Sequence, residues 1–304
     1  MLESAELLVF LTVARTLNFA SAAKELRMSP SQTSKEIAKT EEKLGKALFL
    51  RNTRQVKLTN EGEMLVPLAR RALDAMTDAT EIFNRPDEDA SLKGTIRVTC
   101  SHALAVRKIA GMAADFRKLH PQLIFDFVLA DGYLDLIDER IDVAVRIMGL
   151  SDSTLVARRL ASNNIVFCAS PDYLRSCKPP TRVSDLKNHQ VLFIPQHGHL
   201  KFQRTKTKLV KTVDPPWVHA ASGDFLVEIA CKGGGILVRS AWSVEREIAA
   251  GDLIALELDD ELIAETAIYG VYPAQKALPR RIRRWIDHLA ACFSGTEPRV
   301  EQPF

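Results

Sequence analysis

Between Ser29 and Lys57 the chain sets hydrogen-bonding and cationic side chains at a spacing suited to reading a nucleic acid. Ser29 is a good helix cap, and Pro30 follows at the first helical position, where a missing N–H costs nothing. Gln32 stands three residues after the serine, at capping-box spacing. A helix from about Pro30 to Leu44 turns Thr33, Ile37, Thr40, the aliphatic part of Glu41 and Leu44 inward. It leaves Ser31, Gln32, Ser34, Lys35 and Lys39 on an exposed face near its start. A glutamine there has the amide geometry to take an adenine edge, and Ser31, Ser34 or Lys35 reaches a base or a phosphate. Gly45 stops the helix, and Leu48 and Phe49 anchor the next segment. Arg51, Arg54 and Lys57 then decorate a short extended hairpin, LFLRNTRQVKLT, whose cations suit the phosphate backbone or the minor groove. An ordinary helical subdomain with a solvated face is the competing reading. The serine cap and the basic hairpin together weigh against it.

Positioning those side chains requires a scaffold. Residues 4–15 carry Leu7, Leu8, Phe10, Leu11 and Ala14 at helical spacing. Asn18 caps a second short helix with Ala22, Ala23 and Leu26 inward. Thr59 or Asn60 caps a further helix reaching about Phe83. Its apolar residues Met64, Leu65, Leu68, Ala69, Ala72, Leu73, Met76, Ala79 and Phe83 recur at spacings of three and four. A stripe that long needs a partner. Self-pairing would hold two reading heads a fixed distance apart, and packing against the chain's own second domain is the alternative. The segment 85–94, RPDEDASLKG, has no periodic signal and reads as a hinge.

Charge follows the same division. The net charge of the 304 residues is only +3, but residues 1–71 hold 12 Lys+Arg against 8 Asp+Glu, and residues 24–57 hold 9 against 4. The basic excess sits where the groove-reading pattern is, which points to a polyanionic partner at that end. No run of apolar residues is long enough for a membrane span, and the first residues lack the pattern of a secretory signal, so secretion is not expected. The five cysteines, Cys100, Cys168, Cys177, Cys231 and Cys292, are scattered without a CxxC pair, which fits a reducing cytosol. A redox pair of Cys168 with Cys177 is a weaker alternative.

From Gly94 onward strands alternate with helices, which argues for parallel or mixed sheets with ligands bound beyond strand ends. Strands are expected at 95–100, 123–130, 142–147, 154–160, 164–168, 191–195, 209–213, 236–238, 253–258 and 267–273. Helices are expected at 105–119, 134–138, 223–232, 240–249 and 279–293, and short helices or turns at 171–175 and 183–186. The triple glycine at 233–235 lacks the dinucleotide-binding pattern and reads as a helix stop feeding a buried strand. His102, His197, His199 and His219 have no metal-ligand spacing, and no HExxH, GxSxG or phosphate-binding loop occurs. An enzyme, a metal site and a bound cofactor are therefore not expected.

These residues resemble the LysR-type transcriptional regulators. The resemblance rests on FASAAKEL, on SPSQTSKEIAKTEEKLGKALFLR and on TRQVKLTNEGE in the head. It continues through FRKLHPQL, IDVAVRIMGL, FCASPDYL, VSDLKNHQVLF, GGGILVRSAWSVEREIAAGDL and GVYPAQKALPRRIRRWIDHLA, covering about 1–293. The chain departs from the family pattern at Thr40, usually leucine, and at Gln32, commonly alanine. The resemblance implies an α/β chain with an N-terminal winged helix-turn-helix and a C-terminal periplasmic-binding-protein-like effector domain of two α/β lobes. The implied divisions are a DNA-binding domain at 1–58, a dimerisation helix at 59–84, a hinge at 85–93 and an effector domain at 94–293. Within that domain lobe I takes 94–161 and 268–293 and lobe II takes 162–267; a flexible tail takes 294–304. It further implies a cytoplasmic homodimer or homotetramer acting on double-stranded promoter DNA, with RNA polymerase a further candidate partner.

Carried over by position, Ser101, His102, Leu129, Ala130, Asp131, Arg146 and Met148 line an effector cleft from lobe I. Phe193 to His197, with Pro195 between them, and His219 to Gly223, with Ser222 between them, line it from lobe II. Helix starts near 102 and 222, with Arg146, suit an anion such as a carboxylate; an internal salt bridge is an equal reading of Arg146. A solute-binding protein with a merely structural head, or an enzyme using the cleft, leaves the capped helix beside a basic wing unexplained.

Overall fold

The computed structural model describes residues 1–52, 55–83, 91–149, 155–194, 200–201, 208–209, 217–260, 266–274 and 278–295. The helices and strands, in chain order, are α1 (Ser4–Thr16), α2 (Phe19–Leu26), α3 (Pro30–Leu44), β1 (Phe49–Asn52), β2 (Gln55–Leu58), α4 (Asn60–Phe83), β3 (Lys93–Cys100) and α5 (His102–Leu104). A π-helical turn, Ala105–Ile109, joins α5 to α6 (Ala110–Leu119). There follow β4 (Gln122–Leu129), β5 (Val143–Met148), β6 (Leu155–Ser162), β7 (Ile165–Ala169), α7 (Pro171–Ser176), β8 (Val191–Leu192), β9 (Leu200–Lys201) and β10 (Lys208–Leu209). The chain closes with α8 (Gly223–Cys231), β11 (Ile236–Ser240), α9 (Glu245–Ala250), β12 (Ile254–Leu256), β13 (Ala267–Pro273) and α10 (Arg280–Ser294). Two compact units result: 1–95 with 121–124 and 277–281, and the remainder.

The first unit is built by its caps. Asn18 Oδ1 accepts the Ser21 N–H at 3.0 Å, and Ser29 Oγ accepts the Gln32 N–H at 3.1 Å. The Ser29 cap is one-sided, its second neighbour being Ser31 Oγ at 3.1 Å. Gly45 ends α3 in the left-handed region at φ 65°, as the sequence predicts. Phe10, Val13, Ala22, Ile37, Leu48 and Phe49 form the core, with the Phe10 and Phe49 rings 5.6 Å apart. Thr33 and Thr40 are fully buried, and Thr40 satisfies its hydroxyl by donating to Glu36 O at 2.9 Å. A threonine thus replaces an apolar residue in this core without an orphan hydroxyl. Two inward expectations fail. Leu8 and Leu44 are exposed, because Leu7, Phe10 and Val13 already fill the packed stripe of α1 and Leu44 is the last residue of α3.

α4 begins at Thr59, whose Oγ1 accepts the Gly62 N–H at 3.0 Å and donates to Ala47 O at 2.7 Å. The helix continues through Pro67, which forfeits one ladder bond. Its two apolar faces separate: Leu65, Val66, Ala69 and Leu73 pack on the head, whereas Met64, Leu68 and Met76 stay 71%, 49% and 52% exposed. Further along α4, Asp74 Oδ2 accepts the Thr95 N–H at 3.2 Å, and buried Arg281 pairs with Asp78 while donating to Thr95 O at 2.9 Å.

The second unit holds two mixed sheets. One has the order β4-β3-β5-β13-β6, with β3 parallel to β5 and β13 antiparallel to both β5 and β6. Trp285 of α10 packs against Phe116 and Phe125 beside it. The other has the order β12-β7-β11-β8, with β11 parallel to β8 and antiparallel to β7. One of its faces is covered by Leu226, Val227 and Ala230 of α8, the other by Val183 and Leu186. The chain passes from the first sheet to the second at Asn163 and Asn164 and returns at Thr266. Buried Asn163 joins the two crossings by donating to Thr266 Oγ1 at 3.0 Å. Residues 134–138 form a turn rather than a helix: Asp135 Oδ1 accepts the N–H groups of Ile137 and Asp138, competing with a helical ladder. The strand expected at 191–195 is two residues long, and residues 210–213 and the tail from 296 lie outside the described residues.

Candidate functional site

The start of α3 presents Ser29, Ser31, Gln32 and Lys35 exposed and Ser34 half-exposed. Ser29 and Ser31 are tied to each other, while Gln32 and Lys35 project from the outer face of a rigidly capped turn. Lys39 differs: its Nζ lies 3.3 Å from Glu6 Oε1 of α1. The wing follows directly. β1 and β2 pair antiparallel with Leu50 opposite Lys57, Arg51 opposite Val56 and Asn52 opposite Gln55. Lys57 is exposed; Arg54 and the Arg51 side chain lie outside the described residues.

Two acids that sequence reasoning did not assign to this geometry hold the reading surface in place. Glu41 was expected inward through its aliphatic part; its Oε1 accepts the N–H groups of Leu48 and Phe49 at 2.8 and 3.1 Å, fixing the wing to α3. Glu6, only 1% exposed, accepts from Lys43 at 2.6 Å, from its own capping partner Glu3 N–H at 2.9 Å and faces Lys39. The Lys43 ammonium, then the Glu3 N–H, holds the Glu6 carboxyl down at about 2, and Lys43 is raised in turn. A carboxyl lowered on folding stabilises the folded head above its ordinary value of 4.5 and loses that contribution as pH falls toward about 2. Glu6→Gln is therefore expected to lower the head's melting temperature at pH 7 and to shrink the difference between pH 6 and pH 3. An unchanged pH dependence in circular-dichroism melts of the variant would refute this role.

Glu6 gave no signal in the sequence, because an acid in the first turn of a helix is ordinarily a solvated partner of the dipole.

In the second unit, Ser101 Oγ caps Leu104 N–H at 3.3 Å, and Asp131 Oδ1 accepts the His102 N–H at 3.2 Å. The helix start beyond β3 thus already faces a carboxylate of the chain. Ala130 N–H bonds to Cys100 O at 3.1 Å, which brings the ends of β3 and β4 together. Arg146 has no ion-pair partner among the described residues. It donates to Leu134 O at 2.7 Å and lies 4.9 Å from the Tyr133 ring centre, and burial pushes it below its ordinary value. Met148 sits half-buried at the end of β5 opposite Ala267. Across the crossings, Ser222 Oγ caps Phe225 N–H at 3.4 Å, His219 is exposed and Phe193 packs on the second lobe's core. Pro195 and His197 lie outside the described residues.

The lobes meet through residues that the sequence did not single out. Arg107, on the π-helical turn, donates to both Glu247 oxygens at 3.0 Å and to Asp224 Oδ1 at 3.3 Å; Lys108 reaches Glu245 at 2.7 Å. Asn163 also accepts from Trp242 Nε1 at 3.2 Å. All five cysteines are free, and Cys100 and Cys168 are pushed up to about 12 by burial, which keeps them protonated thiols. Among the described residues no three His, Cys, Asp or Glu side chains are grouped to hold a metal ion, and no helix is long and apolar enough to cross a membrane.

A model of the LysR substrate binding domain matches residues 89–293, and a model of the bacterial regulatory helix-turn-helix protein, lysR family, matches residues 5–63. The chain belongs to the LysR-type transcriptional regulator family. This LysR-type regulator is 32% identical over 290 residues to the HTH-type transcriptional regulator CrgA of Neisseria meningitidis, covering 94% of this chain and 95% of CrgA. It is 30% identical over 290 residues to the HTH-type transcriptional activator AaeR of Escherichia coli, covering 94% and 92%. The solved structure of CrgA aligns with a TM-score of 0.59 at 31% identity, over 96% of this chain and 99% of CrgA. The full-length Vibrio cholerae virulence activator AphB aligns with a TM-score of 0.59 at 22% identity, which shows shared fold. The regulator is thus a DNA-binding transcriptional regulator with a helix-turn-helix head and a two-lobed α/β domain.

Proposed function

We propose that the regulator binds promoter DNA as a dimer through α3 and its wing, and that a small molecule held between the two lobes sets its activity. The observation that carries the first part is the outer face of α3: Gln32 and Lys35 project from a capped turn whose inner face is locked by Ile37 and the Glu6–Lys43 pair. A helix so held presents its first turns to the major groove, with the wing cations of Arg51, Arg54 and Lys57 on the flanking backbone. The exposed stripe of Met64, Leu68 and Met76 supports pairing of α4 with a second copy, since an apolar stripe of that length is costly to leave in water. Pairing of two dimers into a tetramer, and contact with RNA polymerase, are consistent extensions of this reading.

Two lobes joined by paired crossings and an ion cluster support the second part. Such a hinge has two arrangements, and a ligand that prefers one shifts the population toward it.

Fluorescence anisotropy with the native promoter fragment tests the reading. Binding should be sequence-preferring and steeply salt-dependent. Gln32→Ala should cost about 1–3 kcal/mol at one base position and relax preference there. Lys35→Ala should weaken all sequences alike and reduce the salt slope by about 1. Equal affinity of the wild type for promoter and scrambled DNA would sink the proposal.

A further inference from the structure

Arg239 of β11 was not among the residues expected to line the cleft, yet its position is unusual. Its guanidinium lies against the first residue of α8. A Cβ placed on Gly223 would stand 2.1 Å from Nη2, 2.3 Å from Cζ and 2.5 Å from Nη1. The guanidinium thus occupies the space that a side chain at 223 would need, and a larger residue there would push it aside. Its Nε is fully buried and, among the described residues, has no hydrogen-bond acceptor. A buried guanidinium N–H without an acceptor is costly, and such a group in a native fold calls for a reason.

The surrounding charges sharpen the point. Asp224 and Asp131 are the acids that favour the Arg239 charge, and Arg107 opposes it. Both acids are turned to other groups: Asp224 to Arg107 at 3.3 Å, and Asp131 to the His102 N–H at 3.2 Å. Arg107 is itself saturated by Glu247. Among the described residues Arg239 therefore carries its charge with no carboxylate in ion-pair contact, between acids contributed by both lobes. Arg146, the arginine expected to hold an anion, is by contrast occupied by Leu134 O and the Tyr133 ring.

We infer that Arg239, seated in the space left by Gly223, is the group that binds the anionic end of the effector, and that the effector is a small carboxylic acid. This rests on the reading of the inter-lobe space as the effector site. A carboxylate fits because its two oxygens match the guanidinium fork and because it supplies the missing acceptor and the missing charge together. Arg239 is a specificity residue: it separates an acid from its neutral amide, which cannot offer that charge.

The test uses the full-length chain, melted and titrated calorimetrically with benzoate and succinate, with benzamide and succinamide, and with inorganic phosphate. At least one acid should raise the wild-type melting temperature while its amide does not. Arg239→Gln should weaken that acid at least ~30-fold, as expected for removing one partner of a buried charge pair. Gly223→Ala should weaken it too, by displacing the guanidinium. Without ligand, Arg239→Gln should melt at or above the wild-type temperature, since it removes a desolvated cation that has no ion-paired carboxylate among the described residues. The inference is overturned if acid and amide act alike, if phosphate alone stabilises, if none of the five compounds binds, or if Arg239→Gln melts several degrees lower without ligand. His102→Trp separates the two readings. If it abolishes acid binding while Arg239→Gln does not, the cleft stands and Arg239 is not its anion partner. If neither variant changes acid binding, the acid binds elsewhere and both readings fall.

Discussion

Replacing Gly62 with alanine is expected to cost the DNA-binding head about 3 kcal/mol, a large effect for one methyl group. The added Cβ would lie 2.2 Å from Leu48 O and 2.9 Å from Leu58 Cδ2. The leucine side chain has room to adjust, but the carbonyl does not. Leu48 O accepts the Thr59 N–H at 3.0 Å, and the Leu48 N–H is held by Glu41. Moving this peptide would break the contact between wing and α3 as well as the cap of α4. Far-UV melting should show the head's transition shifted down while that of the two-lobed unit stays in place, and promoter affinity should fall with temperature earlier than in the wild type. A variant within about 0.5 kcal/mol of wild type, the ordinary range for a surface substitution, would show that the carbonyl is free to move.

The second large effect is expected at Arg107. Its guanidinium is 13% exposed and makes a forked contact to Glu247 plus a third bond to Asp224. Arg107→Met would leave two partly buried carboxylates with no cation between them. Breaking a buried pair in this way costs about 3–5 kcal/mol, and the residual exposure of these groups reduces that to about 2–4 kcal/mol. For a unit of this size the melting temperature should drop by roughly 5–10 °C. The double variant Arg107→Met with Glu247→Leu should recover most of the loss, because removing both charges leaves less unsatisfied than removing one. If Arg107→Met alone melts within about 1 °C of wild type, the contact between the lobes is solvated and contributes little.

Much of the DNA-reading head was legible in advance, and the reason is local chemistry. Asn18, Ser29 and Gly45 act on their own helix ends, so their residue types alone mark where α2 and α3 begin and end. Thr59 likewise caps α4, one residue before the alternative Asn60. The alternation of strand and helix from Gly94 onward gave the two mixed sheets for a similar reason. What misled were residues whose neighbours are distant in sequence. Leu8 and Leu44 look like core residues until the packing of three helices shows which stripe is already full. The short helix expected at 134–138 gave way to a turn because Asp135 takes the N–H groups of its own neighbours.

The cleft shows the limit more sharply. Ser101, His102 and Asp131 were placed together by position along the chain, and the structure brings them to one strand end. Arg107 and Arg239 are not marked by the sequence, and Gly223 enters only as the end of the stretch from His219. An arginine in a helical turn and an arginine in a strand carry no distinguishing pattern until their partners are known.

The sequence by itself determined the helix-turn-helix with its capped reading helix, the basic hairpin, the long apolar helix α4 and the alternating α/β order of the rest. Each of these is encoded by residues within about one turn or one hairpin of each other. Only the tertiary structure decided that Glu6 is a buried anion between two lysines of α3, that Gly62 exists for a carbonyl, and that Arg107 joins two lobes across 140 residues of chain. It also decided that Arg239 has a buried Nε without an acceptor among the described residues, beside acids turned to other groups. Charge pairing and close packing depend on three-dimensional neighbours, and the linear order of residues does not state which acid a given cation will meet.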